Sequence, residues 1–278
     1  MLDNKAVFIT GGARGLGLGI ARACATRGAR LALADIDREA LTIAAEELGE
    51  VTDVVVVPLD VSDRQAVGIA ADQAEDALGP VSALFNNAGV ADSVSPLATT
   101  GEVWDWMVAV NLNGVYNGVQ AFAPRMIRRG EGGWIVNTSS LAGLAPVGSG
   151  FAYHATKYAV VGLSGSLRQE LAHHGISVSV VCPGNVATSI MENTARLRPN
   201  EAEQHSSKIK EILHQAHEHL LTEGVPIDEA GESVVSGMLA GQPFIFTDGL
   251  WRAHLESYFA EVLTCIPSSA DLTLATGA

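Results

Sequence analysis

The sequence predicts a doubly wound parallel α/β sheet of about seven strands, in a single domain with helices on both faces. Three observations carry this. Aliphatic runs alternate with helix-patterned stretches from the start of the chain. The first run passes straight into a glycine turn and a helix, in "VFITGGARGLGLGIA" from Val7 to Ala21. The length, 278 residues, suits one large α/β domain.

Strands are expected at Ala6–Thr10, Arg30–Ala34, Val54–Leu59, Val81–Asn86, Trp134–Thr138, Ser177–Cys182 and Phe244–Thr247. Between them Gly17–Arg27, Arg38–Leu48, Asp63–Leu78, Val103–Arg129 and Phe151–His173 place apolar residues at helical spacing. Aliphatic strands alternating with helices require a parallel sheet covered on both sides, and right-handed crossovers wind it in two directions. Any ligand then sits at the carboxyl ends of the strands. The stretch Ile190–Thr222 breaks the alternation before a helix near Asp228. It is polar, His-rich and largely helical, so residues 189–225 read as a substrate lid inserted in the domain. After the last strand, "FIFTDGLWRAHLESYFAEVL" continues into a further helix, making 248–278 a C-terminal extension. There Trp251, Leu255, Tyr258, Phe259 and Val262 recur at helical spacing, either to pack on the domain or a neighbouring subunit, or to reach a substrate pocket.

Composition narrows the function. With 31 acidic against 17 basic residues the formal net charge is -14, which argues against a nucleic-acid partner and repels anionic membrane surfaces. Aliphatic runs such as "VVVVPL" fall short of the ~20 residues a membrane span needs. The first strand begins at Ala6, so no secretory leader is expected. Cys24, Cys182 and Cys265 form no C-x-x-C pair. A cytoplasmic protein with reduced thiols is the expectation. His205, His214, His217 and His219 read as a solvated helix face, not metal ligands, since no cysteine joins them and Glu218 lies on another face.

The glycines Gly11, Gly12, Gly15 and Gly17 permit a tight turn and close approach of a pyrophosphate to backbone N–H groups at a helix start, with Arg14 and Leu16 in the same turn. Asp35 ends the second strand, beside Ile36, where a carboxylate can bond both adenosine ribose hydroxyls and repel a 2′-phosphate. Arg14 pulls the other way, toward a phosphate, unless it pairs with Asp35 or Asp37. Asp35 is the stronger signal, so NAD is expected over NADP. Asp60, with Val61, ends the third strand and can accept from an adenine amino group. Asn86, Asn87, Ala88 and Gly89 end the fourth. Each alone is equally a turn or helix-start feature.

After the fifth strand, Tyr153 and Lys157 lie four apart and share a helix face. An ammonium beside a phenol is a route to a lowered phenol pKa and hence to a general acid/base. Ser140 ends the preceding strand, aimed at the same crevice.

"TGGARGLG", "NNAG", Asn111 in "VNLNG", Ser140, "YHATK" and "CPGNVAT" stand in the order and spacing of the short-chain dehydrogenase/reductase family, which the chain resembles from Met1 to about Ser189. The resemblance implies a Rossmann-type fold and a tetrad of Asn111, Ser140, Tyr153 and Lys157. Tyr153 would be the acid/base and Ser140, rather than Ser139, would polarise the substrate oxygen. Lys157 would lower the Tyr153 pKa and hold the nicotinamide ribose, and Asn111 would hold a relay water. Pro183, Gly184, Val186 and Thr188 would grip the nicotinamide carboxamide. The ending, with "WMVAVNLNGVYNGVQAFAPRMIRRG" and "NTARLRPNEAEQ", is similar to bacterial Cα-dehydrogenases of lignin-derived aryl ethers. This implies a bulky, hydrophobic, aryl-bearing secondary alcohol or its ketone. Met191, Leu197, Ile212 and Leu213 are lid candidates, or else pack as an amphipathic helix. A hydroxysteroid dehydrogenase and an NADP-dependent ketone reductase are the neighbouring alternatives. A non-catalytic nucleotide sensor is the distant one. A homodimer or homotetramer is implied by resemblance only.

Overall fold

The computed structural model describes residues 2–92, 94, 99–148, 150–199 and 206–267, with backbone alone for 206–210. Seven parallel strands are described: β1 (Ala6–Thr10), β2 (Arg30–Asp35), β3 (Val54–Pro58), β4 (Val81–Asn86), β5 (Gly133–Thr138), β6 (Ile176–Val181) and β7 (Phe244–Ile245). Their order is β3-β2-β1-β4-β5-β6-β7. The chain winds outward from β1 to β3, then crosses to β4 and winds the other way. Val7 pairs with Leu31 on one side and Ala83 on the other, so the order reverses between β1 and β4. A crevice opens at such a point, beyond the carboxyl ends of the strands.

The helices are α1 (Gly15–Ala25), α2 (Arg38–Gly49), α3 (Arg64–Leu78), α4 (Gly101–Val108), α5 (Gly114–Arg129), α6 (Phe151–Leu171), α7 (Ile190–Leu197), α8 (Ser206–Glu223), α9 (Ile227–Leu239) and α10 (Arg252–Thr264). Strand alternation divides the core into two layers. Val7, Ile9, Leu31 and Leu33 pack with Ile20 of α1, Leu41 of α2 and Val234 of α9. Phe8, Ala32 and Ala34 face the other way, onto Ala70 of α3 and Phe122 of α5. The Phe8 and Phe122 rings stand 4.8 Å apart.

Four departures from the sequence reading have physical reasons. The first helix starts at Gly15, because that residue already takes the turn out of the glycine loop. The stretch expected as one helix over 103–129 is interrupted by a π turn at Ala109–Asn113. Gly114 begins α5 directly after it, where a Cβ would come within 2.7 Å of Val61 Cγ2. The last strand is only Phe244–Ile245, an edge strand held by β6 through Val180 and Val181. Finally, α10 buries none of its side chains, so its apolar residues do not form a core layer. Tyr258 bonds Tyr158 of α6, while Phe259 and Val262 face outward. Among the described residues no helix is long and apolar enough to cross a membrane.

Candidate active site

A cavity of about 730 Å³ lies at the carboxyl ends of the strands. At one end is the glycine turn. Gly11 (φ 63°) and Gly15 (φ 54°) take the left-handed conformation that glycine tolerates. A Cβ on Gly11 would stand 2.9 Å from Ala88 Cα, so the turn and the β4 loop close on each other only without a side chain there. The residue preceding α1, Arg14, has extended backbone and offers no side-chain cap, which leaves the first-turn N–H groups of α1 open to an anion. Gly11, Arg14, Gly15 and Leu16 line the cavity, as do Asn87, Ala88 and Gly89. Gly17 does not: a Cβ there would run into Gly11 O, so its task is the packing of the turn on its own helix. Asn86 also turns away, its Nδ2 donating to Asn137 Oδ1 at 2.9 Å inside the core.

Asp35, Ile36, Asp60 and Val61 line the same end. The Asp35 carboxylate is held by backbone, accepting from Asp37 N–H (3.0 Å) and Ala13 N–H (3.3 Å), while burial raises its pKa. Asp60 Oδ1 accepts from the backbone and hydroxyl of Ser62 at 2.9 and 2.7 Å, which fixes the loop after β3. Arg14 is paired, as one of its sequence alternatives allowed: Nη2 donates to Asp37 Oδ2 at 2.6 Å.

At the other end Ser140, Tyr153 and Lys157 line the cavity together. The two neighbouring serines are sorted by their bonds. Ser139 Oγ donates to Lys157 O at 2.8 Å, whereas Ser140 shares a side-chain hydrogen bond with Tyr153. Lys157 Nζ donates to Thr138 O at 3.0 Å and stands 5.4 Å from the Tyr153 ring centroid. The expected lowering of the Tyr153 pKa by Lys157 is corrected here. Burial raises the Tyr153 phenol, only the Ser140 bond works against it, and burial draws Lys157 itself down to about 8. Desolvation disfavours both charged forms. Asn111 sits behind the wall, wholly buried, with Oδ1 accepting from Val90 N–H (2.8 Å) and Nδ2 donating to Val90 O (2.9 Å). The π turn carries it, a deformation common at functional sites. Pro183, Gly184, Val186 and Thr188 also line the cavity, Thr188 standing against Gly15 of the glycine turn.

The remaining wall is largely apolar. Trp106, Val147, Met191, Leu197, Leu220 and Trp251 face the cavity. Of the lid candidates, Met191 and Leu197 are therefore in place. Leu213 is buried against Val94 beyond the lining, and Ile212 also lies off the cavity. Trp251 approaches because Gly184 has no side chain: a Cβ there would stand 3.2 Å from Trp251 Cδ1. The segment that carries α7 and α8 is joined at its two ends, where Val225 N–H donates to Asn185 O and Ala187 N–H to Val225 O, both at 2.9 Å.

Three positioning residues escaped the sequence reading. His154 accepts from Val147 N–H (3.1 Å) at Nε2 and faces Gly150 O (3.0 Å) with Nδ1, pinning the loop that presents Val147. Asp92 and Arg198 form a buried ion pair (3.1 Å) that ties the end of α7 beneath the β4 loop. The signals were an acid directly after "NNAGVA" and a histidine beside Tyr153, neither specific in isolation. His217 Nε2 lies 3.8 Å from Glu192, and His219 adjoins Asn185. His205 is outside the described residues. Among those described, no three His, Cys, Asp or Glu are grouped to hold a metal ion.

A family model described as short chain dehydrogenase matches residues 5–198. The C alpha-dehydrogenase of Sphingobium sp. strain SYK-6 is 36% identical over 280 residues, covering 97% of this chain and 89% of that protein. The 3beta-hydroxysteroid dehydrogenase 2 of Eggerthella lenta is 40% identical over 68% of this chain and 74% of its own. A short chain dehydrogenase/reductase of Burkholderia phymatum, solved in complex with NAD, has a TM-score of 0.88 at 30% identity, over 96% of this chain and 98% of that one.

Proposed function

The chain belongs to the short chain dehydrogenase family of oxidoreductases, and from that premise we propose that it transfers hydride between NAD and a bulky, hydrophobic, aryl-bearing secondary alcohol or its ketone. The observation that carries this reading is one cavity with two chemically distinct ends. A glycine turn and Asp35 lie at one, and Ser140, Tyr153 and Lys157 at the other beside an apolar wall.

The cradle fits a dinucleotide: open N–H groups at the start of α1 suit a pyrophosphate, and Asp35 suits the adenosine ribose. NAD held there supplies the hydride acceptor. In alcohol oxidation the Tyr153 oxygen, deprotonated as phenolate, would take the proton from the substrate O–H and become the phenol, while Ser140 Oγ donates to the substrate oxygen. Burial raises the Tyr153 phenol and the Ser140 bond works against that, while Lys157, anchored on Thr138 O, would hold the nicotinamide ribose. Asn111 completes the tetrad by holding the Gly89–Val90 segment beside Lys157 and serving the proton path from that lysine. Trp106 and Trp251 supply flat apolar faces suited to an aryl group.

The test is NADH formation from a panel of aryl and steroid secondary alcohols, with NADP+ as control. Oxidation of aryl alcohols with NAD+ is expected. Exclusive steroid turnover would replace the substrate class, as the likeness to a hydroxysteroid dehydrogenase allows. A preference for NADP+ would overturn the cofactor assignment. Free buried thiols at Cys24 and Cys182 and the outward apolar face of α10 support a cytoplasmic homodimer or homotetramer.

A further inference from the structure

Two arginines reach the adenosine end of the cavity, and one aspartate holds both. Asp37 Oδ2 accepts from Arg14 Nη2 at 2.6 Å and from Arg196 Nη2 at 3.0 Å. Its other oxygen, Oδ1, accepts from Ala40 N–H at 3.1 Å and so caps α2. Arg14 comes from the glycine turn and Arg196 from lid helix α7, and both line the cavity with Asp35. A weaker bond from Arg14 Nη1 to Asn193 Oδ1 (3.4 Å) ties the same turn to the same helix. The Asp37 side chain is only 14% exposed, against 39% and 54% for Arg14 and Arg196. The carboxylate is therefore fixed by its cap while the guanidinium groups stand at the cavity rim.

Such a pair of guanidinium groups is what a 2′-phosphate requires: two forked, permanently charged donors next to the ribose position. The carboxylate that bonds both arginines is Asp37, whereas Asp35 accepts from the N–H groups of Asp37 and Ala13 and keeps free lone pairs for ribose hydroxyls. The two carboxylates thus divide the work, one facing the ribose and one engaging the cations. We propose that Asp37 is a specificity-determining residue, which withholds Arg14 and Arg196 from the 2′-phosphate of NADP and latches α7 to the glycine turn. The proposal rests on the NAD reading above.

The informative variant is Asp37→Asn, which keeps an oxygen to cap α2 and removes the charge. Asp37→Ser is a second capping replacement should the first fold poorly. The measurement is calorimetric binding of adenosine 2′,5′-bisphosphate relative to 5′-AMP, which needs no turnover, followed by KM for NADP+ and NAD+. Each variant is expected to improve the bisphosphate-to-AMP affinity ratio by at least ~10-fold, the effect of one or two freed charge-assisted bonds. Arg14→Gln added to Asp37→Asn should abolish the gain, and Arg196→Gln should reduce it. An unchanged ratio in both single variants, or a gain that survives both double replacements, overturns the role of Asp37 while leaving the NAD reading intact. If the unaltered protein already prefers the bisphosphate and NADP+, the NAD reading itself fails.

Discussion

Lys157 is a buried cation that lines the same cavity as Tyr153. It is 4% exposed, and its pKa falls from 10.5 to about 8 because burial penalises the charged form. Between about pH 8 and 10.5 the unfolded chain keeps the proton that the folded chain has released, so the unfolded state binds more protons there. Stability contributed through Lys157 therefore rises with pH across that window, and its burial penalty is fully present below it. Denaturant unfolding of Lys157→Met should accordingly show a flatter pH dependence over the same interval than the unaltered protein. Tyr153 gives the complementary prediction. Tyr153→Phe should lower turnover by ~10²–10⁴-fold with NAD+ affinity nearly retained, since a positioned acid/base contributes that much to rate and little to binding. Single-turnover assays with parallel NAD+ titration check it, and a variant keeping more than about a tenth of the rate would remove Tyr153 from the mechanism.

Among the elements, α1 matters most for the nucleotide, and it is braced from behind by α9. The two helices meet backbone to backbone at Gly19 and Gly231, where a Cβ on either would run into the other segment's main chain. Ion pairs from Arg22 to Asp228 and Arg27 to Glu232 bind the rims of the contact. Gly231→Ala should lower stability by about 1–3 kcal/mol, as overpacking against backbone does. Because the start of α1 would shift with it, NAD+ affinity should fall as well. Thermal melts and titration of the same preparation check both, and an unaltered melt would show that the helices can separate freely. Helix α7 has a comparable brace in the buried Asp92–Arg198 pair, which holds it where Met191 and Leu197 line the cavity.

At the scale of the molecule, winding the sheet both ways from β1 brings segments distant in sequence to one crevice: the turn after β1, the ends of β2 to β6, and helices α7 and α8. A ligand lying along the crevice touches most of the domain and should stabilise it as a unit. NAD+ at a hundred times its Kd adds about 2.7 kcal/mol by linkage. A rise of several degrees in the melting temperature is expected with NAD+, and a smaller one with NADP+ at equal concentration. Equal rises would show that the adenosine end does not discriminate.

The strands, the glycine turn and the pair Tyr153 and Lys157 were legible because their signals are local. Aliphatic runs, the position of a glycine and a four-residue helical spacing are written along the chain and survive in any compact fold of it. Even Asp35 was readable, since the end of a strand places it. What the tertiary structure alone decided were contacts closed over long separations. Arg14 is paired to Asp37, 23 positions away, and Asp37 to Arg196, 159 positions away. No periodicity records such a bond. Likewise, Gly17, Asn86 and Asn111 each belong to the right motif, but packing turns them behind the cavity wall. The pKa of Tyr153 shows the same division. Sequence placed a lysine beside it, but the sign of the shift depends on how far water is excluded, and exclusion is a property of the assembled core.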